Sequence, residues 1–282
     1  MQISLRIKKQ SGEICQGRND YEEDLRQLQV TGEDLVWLST QNFTFSEGDY
    51  IEITTDQPNA YLWLKLDETI DNSLVFVPDC LVRYPIHLSE NARVSRAETR
   101  FLSNRHYWSV RKATPEEIGL YRNLALNPLD QKECNGTYPH AYANVETRND
   151  AAFFACNAID GTFANESHGE YPYGSWGINR QKDAELTIDF GRKVRLDQLA
   201  FTLRADFPHD NYWEKIKVWF SDGTQEILST KKSALKQTFN IAPRVVSWLK
   251  IGDLQQSPDE SPFPALTQLE CFGSREEKEG LN

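Results

Sequence analysis

The sequence predicts an all-β protein: two antiparallel β-sandwich, or jelly-roll, domains joined by a short helix. Three observations lead there. Apolar and polar residues alternate with a period of two in segment after segment, and nothing long has helical period. Turn chemistry such as "SEGD" and "DQPN" separates several of these segments. A chain of 282 residues is long enough for two domains of ordinary size.

Taken in order, the first strands fall on "ISLRIKK" (3–9), "EDLVWLST" (33–40), "YIEITT" (50–55), "AYLWLKLD" (60–67), "SLVFVP" (73–78) and "HYWSVRK" (106–112). Together they read as an antiparallel sandwich over residues 1–113. "ATPEEIGLYRN" follows. Thr114 can cap a helix, Pro115 suits its first position, and Glu117 completes a Thr-x-x-Glu capping box. Residues 114–122 are therefore the linker helix. Strands then return at 184–191, 196–203, 214–223, 236–241, 245–251 and 266–273, making a second sandwich over 123–275 and leaving 276–282 as a flexible tail. Trp37, Trp63 and Trp248 lie in alternating strands and read as core.

Composition excludes several function classes. The chain is 39% hydrophobic and 26% charged with a formal net charge of −11, whereas a nucleic-acid binder needs clustered Lys and Arg to displace counterions. Nucleic acid is not an expected partner. No apolar run approaches the roughly 20 residues that span a bilayer, so no membrane is expected either. The start, "MQISLRIKKQSGE", lacks the apolar core of a secretory signal, and the chain reads as cytoplasmic. Its five cysteines, Cys15, Cys80, Cys134, Cys156 and Cys271, include no Cys-x-x-Cys pair and read as reduced structural thiols.

The second half differs from the first in its loops. Residues 138–150, 165–180, 204–213 ("RADFPHDNYW") and 257–264 are long and rich in polar and aromatic side chains, and long loops inside a compact domain usually carry function.

The order "RNLALN", "NAIDG", "GSWG", "AELTIDFG", Arg204 at a strand end, "KVWFSDG" and "LECFG" resembles the discoidin, or factor 5/8 C-type, domain. More narrowly it is similar to the family-32 carbohydrate-binding modules, which share that galactose-binding-like jelly roll. The resemblance covers residues 122–273. It implies a lectin-like sandwich of eight strands that binds a mono- or oligosaccharide in loops at one end, without catalysis. It also implies a structural calcium ion, with Asn157, Asp160 and Thr162 at the matching loop positions. Calcium takes six to eight hard oxygens, for which a tight Asp-Gly turn plus a carboxylate is suited. The carboxylate that the family places in the last strand falls on Gln268 here, and an amide oxygen is a weaker ligand.

A pyranose presents hydroxyls at its rim and a C–H patch on one face, so its site needs planar donors and acceptors around an exposed aromatic ring. Stacking one face removes ~60 Å² of apolar area from water, worth roughly 1.5 kcal/mol. With a few net hydrogen bonds of about 1 kcal/mol each, affinity reaches only about the millimolar to tens-of-micromolar range. The candidates are Arg204, Asp206, His209, Asp210, Asn211 and Trp213 in "RADFPHDNYW". His140, Asn144, Glu146 and Arg148 join them from the first loop, and His168 and Trp176 from the second. Other readings stand beside these. Arg204 and Asp206 can form an ion pair that pins a loop, while Trp176 and Trp213 can be core instead of platform.

Two other functions fit the same residues. His140, Glu146, His168, Asp206, His209 and Asp210, if they converge, could hold a catalytic metal or supply an acid and base for a glycosidase or lyase. The histidines lack the HxH or HExxH spacing that would specify this. Alternatively, sandwiches with exposed edge strands can serve assembly, and a homodimer is compatible with sugar binding.

Overall fold

The computed structural model describes residues 1–275; residues 276–282, read above as a flexible tail, lie outside the described residues. The chain divides into two units. Met1–Thr114 and Cys134–Tyr138 make the first, and Pro115–Glu133 together with the chain from Pro139 onward make the second. The short segment Cys134–Tyr138 joins the first unit because Tyr138 and Phe76 exchange backbone hydrogen bonds of 2.8 and 2.9 Å.

In the first unit the strands are β1 (Gln2–Lys8), β2 (Gln16–Gly17), β3 (Arg26–Gln27), β4 (Gln29–Glu33), β5 (Leu35–Thr40), β6 (Tyr50–Thr55), β7 (Ala60–Lys65), β8 (Ser73–Val77), β9 (Leu81–Pro85) and β10 (His106–Lys112). A helical turn, α1 (Glu90–Val94), precedes the last of them and is capped by the Ser89 hydroxyl, which accepts from Ala92 N. Two antiparallel four-stranded sheets result, ordered β4-β1-β6-β9 and β5-β10-β7-β8. Alternation sets their inner faces: Ile3, Leu5 and Ile7 of β1 and Trp108 and Val110 of β10 are fully buried. The same period corrects the reading of three tryptophans. Val36 and Leu38 take the inward positions of β5, so Trp37 must point out and is 59% exposed. Leu62 and Leu64 do the same to Trp63, which lies under the Arg111 guanidinium, and Trp248 is also surface-exposed. The cysteines divide too, since Cys15 and Cys271 are buried while Cys80 and Cys134 are exposed. Burial pushes the Cys15 thiol up to about 12.

The second unit opens with α2 (Pro115–Gly119), which starts on the proline. Its strands are β11 (Arg122–Asn123), β12 (His140–Ala143), β13 (Trp176–Gly177), β14 (Leu186–Leu203), β15 (Trp213–Phe220), β16 (Gln225–Ser229), β17 (Gln237–Gln256) and β18 (Ala265–Arg275). All pair antiparallel in the order β11-β18-β14-β17-β15-β16, with β12 added on β14 and β13 on β18. Two pairs of expected strands prove to be single long ones, β14 and β17. A register shift between Asp189 and Val194 bends them together, with Gly191 at φ 66° in the bend. The sheet thereby folds over one core that runs from Leu186 and Phe190 to Trp176, Trp213 and Leu269. At the β14–β18 pairing a Cβ on Gly273 would stand 1.9 Å from the Arg195 carbonyl oxygen, so only glycine fits. Among the described residues no helix is long and apolar enough to cross a membrane.

Candidate functional site

β13 pairs with the start of β18, Trp176 opposite Leu266 and Gly177 opposite Ala265, and Arg204 N at the end of β14 donates to Ala265 O at 3.0 Å. Above this junction opens a cleft of about 160 Å³. It is lined by Thr147, Arg148, Phe153, His168, Gly177, Ile178, Asn179, Arg180, Arg204, His209 and the segment Pro262–Ala265. Gly177 lets its walls close in, since a Cβ there would lie 2.7 Å from Thr147 Oγ1 and 3.2 Å from Phe153.

Arg204 holds the cleft together from behind. Its side chain is only 5% exposed, and Nε lies 2.8 Å from Asp206 Oδ1, close enough for an ion pair although the N–H is not aligned on the oxygen. Nη2 donates to the carbonyls of His209, at 3.1 Å, and of Phe263. One guanidinium thus fastens the 204–213 loop and the 257–264 loop to each other. Burial opposes its charge and Asp206 supports it. The other oxygen of Asp206 meets His168 Nδ1, so a buried carboxylate orients an imidazole at the cleft. Asn165 completes the support. Its Nδ2 donates to Leu203 O and Ala234 O at 2.8 and 2.9 Å, and its carbonyl accepts from Ala205 N.

Aromatic rings form the mouth. Phe263 is 38% exposed, with the His209 ring edge-on at 5.7 Å and the Arg180 guanidinium 4.5 Å from its centroid. His168 and His209 meet edge to face at 5.2 Å. On the far side Arg148 lies 5.7 Å above the Phe153 ring and 3.4 Å from Asp150.

Of the candidates drawn from sequence, Arg148, His168, Arg204 and His209 line the cleft, and Asp206 stands directly behind it. The remainder do other work. Trp176 and Trp213 are fully buried and pack against each other, Trp176 Nε1 donating to Val145 O at 2.9 Å; neither ring can be a platform. Asn211 is also fully buried, and its amide ties Asp259 O and Ser261 O to Tyr212 N. Asp210 pairs with Lys232 at 3.3 Å outside the cleft lining. Asn144 bridges Asp183 O and Glu185 N, and Glu146 accepts from Ala155 N and pairs with Lys132, so both pin loop backbone. The first loop begins as strand β12, which carries His140 away to Asp189 and to the Asp130 carboxylate 2.8 Å from its Nδ1. The sequence reading missed Arg180, Phe153 and Phe263. Phe263 does stand in "SPDESPFP", a loop already singled out.

The residues that the family resemblance assigns to calcium do not fit an ion. Gln268 Nε2 donates to Asn157 O at 2.7 Å and to Asp160 Oδ1 at 2.8 Å, while Gln268 Oε1 accepts from Gly161 N at 3.0 Å. Asp160 Oδ1 also accepts from Thr162 N. An amide NH₂ stands among the oxygens that would otherwise face a cation, and the Asp-Gly turn is closed by it. Nor do the loop histidines and carboxylates gather as a catalytic metal set. Among the described residues, three ligating side chains with their ligand atoms within 4.8 Å occur at Asp67, Glu68 and His106 of the first unit. There Asp67 is already occupied by Thr69 N, Thr69 Oγ1 and Phe101 N, as a loop pin.

No protein-family model matches the sequence, and no curated protein matches it. Solved structures do. A chitosan-binding module of a Paenibacillus sp. IK-5 chitosanase/glucanase aligns with 55% of this chain and 100% of its own, at 16% identity and TM-score 0.39. The family 32 carbohydrate-binding module of Clostridium perfringens NanJ, solved with galactose, aligns with 47% of this chain and 91% of its own, at 18% identity and TM-score 0.36. The lectin domain of lectinolysin, solved with Lewis b antigen, aligns with 54% and 96%, at 14% identity and TM-score 0.40. These neighbours are carbohydrate-binding modules and lectin domains.

Proposed function

We propose that the second unit binds carbohydrate without catalysis, in the cleft between Arg148 and Phe263. The observation that carries this reading is the half-exposed Phe263 ring beside planar donors, the Arg180 guanidinium and the His209 imidazole. That pairing of one apolar face with hydrogen-bonding groups at its edge is what a pyranose requires. At about 160 Å³ the cleft is smaller than a drug-sized pocket and suits a single sugar ring. Its framework is rigid because Arg204 and Asn165 lock the surrounding loops before any ligand arrives. Preorganisation of this kind lowers the ordering cost of binding.

A glycan array followed by calorimetry tests the reading. At least one saccharide should bind with a Kd of about 10 μM to 1 mM. Phe263→Ala should weaken it about tenfold, the value of one stacked face, and leave Tm within a degree of the parent. An array with no hit, or a hit indifferent to Phe263→Ala, defeats the proposal.

A further inference from the structure

The balance of donors and acceptors in the cleft says more than that a sugar fits. Its lining holds Arg148, Arg180, Arg204, His168 and His209 and no Asp or Glu, in a chain of net charge −11. A neutral pyranose brings several hydroxyl protons that need acceptors. Several acceptors here are already engaged: the carbonyls of His209 and Phe263 accept from Arg204, and Thr147 Oγ1 accepts from Asn179 N. Both oxygens of Asp206, behind the wall, face Arg204 and His168. The fixed charges of the lining are therefore guanidiniums, with no carboxylate among them.

The backbone makes the same point independently. Arg148 and Asn149 stand at φ 56° and 54°, and Asn179 and Arg180 at φ 48° and 61°. These are left-handed conformations that residues with a Cβ adopt at a cost. Twice, at arginines 32 positions apart in sequence, the chain accepts that cost where it presents the side chain to the cleft, each over a phenylalanine wall. Strain of this kind gathers at functional positions. Among the described residues Arg180 has no carboxylate partner, and Arg148 has only the long contact to Asp150. A guanidinium that sits over a ring still carries a planar fork of donors, which matches a carboxylate or sulfate.

We infer that the cleft selects an acidic saccharide, whose anionic group lies between the Arg148 and Arg180 guanidiniums while its ring packs on Phe263. This rests on the carbohydrate reading above. It adds the class of sugar, one bearing a ring carboxylate or a sulfate ester.

Matched pairs that differ only in charge test it: galactose against galacturonic acid, glucose against glucuronic acid, with galactose 6-sulfate to separate sulfate from carboxylate and sodium acetate as the bare anion. By calorimetry, at least one acidic sugar should bind ten times or more tighter than its neutral counterpart, and its affinity should fall as NaCl rises from 20 to 500 mM. Galactose 6-sulfate matching galacturonic acid assigns recognition to the charge; failing to match assigns it to the planar carboxylate. The double variant Arg148→Gly/Arg180→Gly should lose that advantage with Tm unchanged or raised, because glycine relieves the left-handed positions. Equal, salt-independent binding of neutral and acidic sugars overturns the inference and leaves carbohydrate binding intact, as does acetate binding as tightly as any sugar. An array with no binder of either kind overturns the carbohydrate reading itself.

Discussion

Gln268 donates its side-chain amide to Asp160 Oδ1 at 2.8 Å and to Asn157 O at 2.7 Å, filling with N–H bonds the place where a cation would gather the same oxygens. The Asn157–Thr162 turn is thereby tied to β18 by side-chain hydrogen bonds. Chelation should therefore leave the protein unaffected, with Tm in EDTA and in millimolar calcium agreeing within a degree. Gln268→Glu removes both donors and sets a second carboxylate against Asp160, at a cost of roughly 1–3 kcal/mol. That variant should melt lower in EDTA and recover in calcium. A parent protein stabilised by calcium would refute this account of the site.

The sequence reads Arg204 as a ligand contact or as half of an ion pair that pins a loop. Its burial and its two donated carbonyl bonds make it a positioning residue first. Removing one partner of a buried ion pair costs roughly 3–5 kcal/mol because the other charge is left uncompensated. Arg204→Ala should lower Tm by several degrees as well as weaken binding, whereas Arg180→Gly should weaken binding alone. Differential scanning calorimetry of the two variants distinguishes these roles.

The His140–Asp130 pair sets a pH dependence. Burial opposes the imidazolium, yet the Asp130 hydrogen bond and charge, aided by Asp189 and Glu133, hold its pKa above the ordinary value. A group whose pKa is raised on folding stabilises fully below its unfolded value, near 6.5, and that contribution fades as pH rises through the folded value. Tm should fall as pH rises above about 6.5, and that slope should flatten in His140→Gln. An identical slope in the variant would rule His140 out as its source.

Trp176 and Trp213 separate stability from recognition. Trp176→Phe leaves Val145 O without its donor in the core, at a cost of about 1–3 kcal/mol. Saccharide affinity in the folded variant should stay within twofold of the parent. A tenfold loss of affinity would return the ring to the binding site.

Much of this is legible in the sequence. "YIEITT" and "HYWSVRK" are strands over their full predicted spans, and Pro115 begins a helix, because alternation and turn chemistry are local. The same rule applied with the right phase would have turned Trp37 outward. Breaks in the pattern misled elsewhere: the bend at Gly191 looked like a strand end, yet β14 runs on through it, since a bulge interrupts alternation without ending the pairing.

The sequence by itself determined the two β units and most of the loop segments that line the cleft, since both follow from periods and punctuation along the chain. Only the tertiary structure decided which of those side chains meet. Arg180 and Phe263 are 83 positions apart and become a stacked pair because β13 and β18 pair beside them. His140, close to Arg148 in sequence, is drawn away by β14 and Asp130. Loop side chains point where distant backbone partners hold them, and no local period encodes that direction.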